Sequence, residues 1–233
     1  MARKEETETM AKINIRGDIV LNEHKRFYDW FGWDCVCPRD VQSIIDAAAH
    51  DEPLDVYINS PGGIVAAGQE IYSALRGDPR VSIHITGQAC SAASFIAMAG
   101  HCDITPVGLM MVHCASMGYV SGNHNDMERA AQCLTATDNA IAAAYAEKSG
   151  MSIRDALKLM EKETWLTANQ CIGLKLVDGI TPETAPTAQI AASFGGIRLT
   201  KEDMEKVDQA IKEQEQKESR EKALLEDLDF FGV

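Results

Sequence analysis

No stretch of the chain approaches the roughly 20 apolar residues that span a bilayer. Its longest weakly apolar run, around Ala89–Gly100, is short and rich in alanine and serine. Met1 to Lys12 is charged and has no apolar segment of the kind a secretory leader carries, so a cytoplasmic protein without a membrane anchor is expected. Basic residues are scarce. The 22 Lys and Arg face 35 Asp and Glu, a formal net charge of −13. That argues against nucleic acid as a partner, because phosphate binding needs clustered cations. Cysteine lacks organisation: seven residues are scattered from Cys35 to Cys171 with no CxxC pair, which reads as reduced thiols and no metal site.

What is present is the balance of a globular α/β protein, 45% apolar and 24% charged. Residues 1–10 read as a flexible N-terminus. Between 11 and 184, strand and helix signals alternate, which predicts a twisted, mainly parallel sheet with βαβ crossovers. Ile13–Ile15 and Ile19–Leu21 read as a first strand region broken at Gly17-Asp18. Leu54–Ile58, Val81–Ile85 and Gly108–Val112 read as further strands. Helices are expected over Asp40–Ala49, Ile64–Leu75, Ser91–Ala99 and Ser152–Met160. A long helix over about Asn125–Lys148 carries Met127, Leu134 and Ile141 at heptad spacing, a narrow stripe suited to another helix or another subunit. Residues 185–233 form a charged extension, partly helical or disordered, and Leu224–Phe231 mixes large apolar groups with acids in the manner of a short binding motif.

Three features can carry chemistry. Asn59-Ser60-Pro61-Gly62-Gly63 reads as a turn between a strand and a helix, where free backbone N–H groups can hold an anion. Taken alone, it is more often a plain turn. Gly87-Gln88-Ala89-Cys90-Ser91 follows the next strand and places a serine where that strand meets an alanine-rich helix, the position of a nucleophile elbow or of a simple N-cap. His113 follows the strand ending at Val112, on the same C-terminal edge of the sheet, where open α/β folds bind ligands. A serine at neutral pH needs a base such as imidazole, and shared placement singles out His113 from the other histidines.

Together, Asn59–Gly63, Gly87–Phe95, Ala99-Gly100 and Met111–His113 resemble the successive signatures of the ClpP family, the proteolytic subunit of the Clp protease, over about Ile13 to Ile180. The resemblance implies the ClpP/crotonase-like fold with a protruding handle helix, and serine endopeptidase activity without cofactor or metal. Ser91 would be the nucleophile and His113 the base. Gly63 and Ala92 would donate to the oxyanion, and Gly62 and Ile64 would line the substrate. Where the family keeps an Asp, this chain has Glu163, before Thr164-Trp165-Leu166-Thr167-Ala168; Asp138 and Asp155 are weaker candidates. The resemblance also implies a homo-oligomeric ring acting on polypeptides. The absence of the family's usual N-terminal segment, the aromatic insertion Phe27–Trp33 and the charged C-terminal extension resemble head maturation proteases of phages and prophages, which implies capsid or scaffold protein as substrate. The rival readings are a housekeeping peptidase with an ATPase partner, a serine–lysine peptidase using Lys148, a crotonase-type acyl-CoA enzyme and a non-catalytic scaffold ring.

Overall fold

Alternating isoleucine and valine build the centre of the sheet. Ile13, Ile15 and Ile19 of β1 (Ala11–Ile19), Leu54, Val56 and Ile58 of β3 (Leu54–Gly63), and Ile83 and Ile85 of β4 (Val81–Cys90) are fully buried. The parallel register sets Ile15 beside Ile58 and Ile58 beside Ile85, so one continuous apolar face runs across the three strands. The intervening residues point to the other face. There Asn14, Tyr57, His84 and Asp103 are polar or only partly buried. His84 is held between Asp103, at 2.9 Å, and Asp55, at 3.6 Å, and these bonds keep its imidazole basic.

The computed structural model describes residues 10–181, 205–214, 216–217 and 219–220. Its sheet has the order β2-β1-β3-β4-β5-β8, with β2 at Cys35–Val36, β5 at His101–Ile104 and β8 at Gly179–Ile180. All of these pairings are parallel. β6 (Leu109–Val112) joins the far end of β4, and β7 (Thr164–Thr167) pairs antiparallel with β6. The helices are α1 (Lys25–Phe31), α2 (Pro38–Ala47), α3 (Val65–Leu75), α4 (Ala92–Ile96), α5 (His124–Ser149), α6 (Ile153–Glu161) and α7 (Ala168–Gly173). The expected α/β architecture with a mainly parallel sheet is therefore present, and α5 is its long helix.

Several boundaries differ from the sequence reading, each for a physical reason. β1 is one strand and not two, because Gly17 takes a left-handed conformation and absorbs the break as a register shift. Asn59–Gly63 and Gly87–Cys90 are not turns but the ends of β3 and β4. Glycine and proline signal turns locally, yet here they let two strand ends pass within contact distance of each other. Leu176 and Val177 are buried in a turn that leads into β8. The heptad stripe of α5 is buried only in its second half, where Ile141 and Ala144 join the core, while Met127 is 39% exposed.

In the C-terminal extension, residues 205–214 are helical; Val207 is buried and Asp208 pairs with Arg26 of α1 at 2.6 Å. The expectations for residues 1–9 and for Leu224–Phe231 lie outside the described residues. No helix among the described residues is long and apolar enough to cross a membrane.

Candidate active site

The strand extensions bring the predicted residues together. β4 outruns β5 and finds a second partner in β6, with Cys90 opposite Met111. Ser91 N–H donates to the Met111 carbonyl at 2.9 Å. Two parallel strands thus finish side by side, and the next residues, Ser91 and His113, leave the same edge together. The Ser91 hydroxyl lies 2.7 Å from His113 Nε2, a distance at which the imidazole can take its proton. Ser91 itself has φ 54 and ψ −123, an unfavourable backbone conformation for a residue with a side chain. Such strain is stored where the surrounding structure fixes it, and here it turns the hydroxyl out of the elbow.

The strain is held by α4 and α5. Ser94 Oγ donates to the Ser91 carbonyl at 2.6 Å and lies 2.7 Å from the phenol of Tyr145, which is buried in the core. Ser94 has one proton and gives it to Ser91, so Tyr145 must be the donor to Ser94. Ser94→Ala would leave the buried phenol without its acceptor and is expected to cost about 1–3 kcal/mol. Tyr145→Phe removes the donor but keeps the ring, and is expected to destabilise less. In both variants kcat is expected to fall more than KM changes, since the elbow loosens and the cleft does not. Thermal unfolding and steady-state peptide kinetics check this.

The other strand end supplies the glycines. Ser60 Oγ donates to the Gly17 carbonyl at 2.6 Å and accepts from Gly62 N–H at 3.0 Å, which fixes the approach of the Pro61–Gly63 segment. Gly62 and Gly63 have φ 99 and 152, and Gly63 pairs with Ile19. Ile64 N–H donates to the Ile19 carbonyl at 2.8 Å. Ala92 is the first residue of α4, so its N–H has no carbonyl within that helix to meet. Pro61 to Ala66, Ser91, Met111, His113 and Ala115 line one cleft of about 640 Å³. Gly62, Gly63 and Ile64 are therefore all at the cleft wall, and Asp18 of β1, His24 just before α1 and Tyr28 of α1 complete it. Sequence reasoning missed these three; the aromatic insertion Phe27–Trp33 was an available signal for Tyr28 alone.

The acidic candidates fall in different places. The β6–β7 register, with Val112 opposite Thr164, sets Glu163 across from His113 at the strand ends. Glu163 is exposed, has φ 48, and makes no hydrogen bond to the imidazole among the described residues. Asp138 of α5 accepts from Ala115 N–H at 2.7 Å, so it clamps the loop after His113 and not the ring. Asp155 caps α6 through Ser152 and pairs with Lys158, away from the cleft. The thiols beside the pair are poor nucleophiles. Burial raises Cys90 and Cys114 to about 11 each.

Lys148 is engaged elsewhere. Its ammonium donates to the Gly100 carbonyl at 2.9 Å and to Asp178, which also accepts from Cys102 N–H at 2.7 Å. The bridge ties α5 to the chain entering β8 and gives Lys148 no path to Ser91. Burial alone would raise the Asp178 carboxyl, but the bonds from Lys148 and Cys102 outweigh it and hold the group below its usual range. A depressed carboxylate contributes its stability above its unfolded pKa of about 4, and that contribution is lost as pH falls through the folded value. Asp178→Asn is therefore expected to lower Tm by several degrees at pH 7, and the difference from the wild type should shrink below pH 4. Its side chain is 36% exposed, so solvent screening limits the effect to about 1–2 kcal/mol. Melting curves across pH check this.

A serine–histidine pair at the C-terminal edge of a mainly parallel α/β sheet, with a glycine-lined strand end beside it, is the arrangement of a hydrolytic site. The family model described as Clp protease matches residues 41–184, which include Ser91, His113 and Glu163. The match covers more than half of the 233 residues, so the chain belongs to the Clp protease family and, with it, to the serine peptidases.

Proposed function

We propose that the protein is a serine endopeptidase in which Ser91 attacks a peptide carbonyl and His113 shuttles the proton. The observation that carries this is the 2.7 Å contact between the Ser91 hydroxyl and His113 Nε2 within the cleft. His113 takes the hydroxyl proton as the bond to carbon forms, then gives it to the leaving amine; water repeats the sequence on the acyl-enzyme. The N–H groups of Gly63 and Ala92 are assigned to the oxyanion. Glu163 is assigned to orient the imidazole, supported by its register opposite His113; rotation of its exposed side chain has to complete that contact. Gly62 and Ile64 are assigned to hold the substrate backbone. The chemistry needs no metal or nucleotide.

The finer reading is a phage or prophage prohead protease that assembles as a homo-oligomer and cuts capsid or scaffold protein. Support comes from α1, which carries Phe27–Phe31 of the aromatic insertion and brings Tyr28 to the cleft, and from the exposed first half of α5, which offers a stripe for a second subunit. The test is incubation of the purified oligomer with an unfolded polypeptide and with phage capsid and scaffold proteins, with and without ATP. Defined internal cuts that do not need ATP support the reading. Cleavage only with ATP and an added ATPase would favour the housekeeping alternative, and no cleavage by the oligomer would overturn the peptidase assignment.

A further inference from the structure

We infer that the helix of the C-terminal extension, residues 205–214, braces α1 from outside and so sets how tightly the cleft holds a polypeptide. The contact is independent of the chemistry; its kinetic consequence rests on the serine-peptidase reading.

α1 needs a brace. It is seven residues long, and His24 at its N-cap makes no side-chain hydrogen bond to the first turn. Helices shorter than about 12 residues are marginal unless packing holds them. On the inner side, the Tyr28 phenol donates to Asp18 Oδ2 at 2.9 Å, and Tyr28 packs with Val20, Cys37 and Trp33. That contact sets Tyr28 in the cleft wall, with His24 just before the helix. The outer side is held differently. Phe27 is buried, yet among the described residues it belongs neither to the sheet core nor to the group around Tyr28.

The extension meets α1 by one face. Within 205–214, Val207 is buried, Asp208 and Ile211 are partly buried, and every other residue is exposed. These three lie within about 100° of one another around a helix, the pattern of a helix resting on a surface. Asp208 is its polar anchor. The Asp208 Oδ1 is shut off from water and lies 2.6 Å from Arg26 Nη2. The Arg26 guanidinium also sits over the Phe27 ring, 4.8 Å from its centre, so α1 presents the cation in a fixed place. An ion pair on an open surface contributes little. Here one oxygen is desolvated and an apolar residue is buried beside it, so parting the helices exposes Val207 and breaks the pair together. Loosening α1 shifts Tyr28 and His24 in the wall. Ser91 and His113 stay in place, because β4, β6 and α4 hold them. Arg26 and Asp208 are therefore positioning residues that act on substrate binding.

The test uses the full chain with Val207→Asp, Asp208→Arg and the exchanged pair Arg26→Asp with Asp208→Arg. Hydrogen exchange over residues 25–31, steady-state peptide kinetics and the rate of fluorophosphonate labelling of Ser91 are read for each. In the two single variants, the α1 amides are expected to exchange about fivefold faster and KM to rise about threefold. Their kcat and labelling rate are expected to stay within about twofold of the wild type. The exchanged pair is expected to bring α1 exchange and KM back to within about twofold. Unchanged α1 exchange in both single variants overturns the brace. A lower KM, or a fall in kcat and labelling at constant KM, overturns its role in substrate binding, and an exchanged pair that restores nothing overturns Arg26–Asp208 as the anchor. Neither cleavage nor adduct in the wild type overturns the peptidase reading and the kinetic half of this inference, while exchange over α1 still decides the contact.

Discussion

Ser91→Ala and His113→Ala are each expected to reduce peptide cleavage by roughly 10⁴- to 10⁶-fold, with melting temperature changed by no more than a few degrees. The two losses should not multiply. Ser91 without the imidazole has no proton acceptor within 2.7 Å, and the imidazole without Ser91 has no nucleophile to activate. A double variant should therefore be about as inactive as either single one, since residues that act as a unit are removed together. Stability is expected to hold because neither side chain belongs to the buried apolar core. Product quantification by mass spectrometry, with circular dichroism melts on the same samples, checks both halves. Near-wild-type activity in His113→Ala would mean another group takes the proton.

The second large effect belongs to a residue without a side chain. Gly62→Ala is expected to reduce kcat/KM by about 100-fold or more. A methyl group there would lie 2.6 Å from the Cys90 carbonyl oxygen and 2.6 Å from Ser91 Cβ. These are backbone and nucleophile atoms, which cannot swing aside as a flexible side chain would. The φ of 99 at Gly62 also disfavours any residue but glycine. The clash must push the β3 end away from the elbow, and displacement near 1 Å is enough for a loss of this size. Far-UV dichroism is expected to stay native, because the core strands lie several residues back at Ile58 and Ile85. A Gly62→Ala enzyme with wild-type kinetics would show that the two strand ends are further apart in solution.

Much of this was legible in the chain itself. The runs at Leu54–Ile58 and Val81–Ile85 announce buried parallel strands through their branched apolar residues, and they are the middle of the sheet. Ser91 and His113 were legible because each follows such a strand, and strands of a parallel sheet deliver their next residues to one edge. The continuation of β3 through Pro61-Gly62-Gly63 was not, since local signals for a turn are the same signals that permit a close approach. β7 and β8 are four and two residues long, and pairing partners far away in sequence create them. α1 is seven residues of mixed aromatics with no helical stripe, and packing of Phe27 and Tyr28 settles it. The acidic partner is the least legible element. Glu163 matches by position, yet it makes no hydrogen bond to the imidazole among the described residues, and the role proposed for it depends on a side-chain rotation that no sequence pattern encodes.

The most direct test of an activated serine is reaction with a fluorophosphonate, read by intact mass and peptide mapping, on wild type and His113→Ala in parallel. A single adduct on Ser91 in the wild type, lost or slowed at least 100-fold in His113→Ala, is the predicted result. An adduct on another residue, or equal labelling of Ser91 in both proteins, would contradict the account.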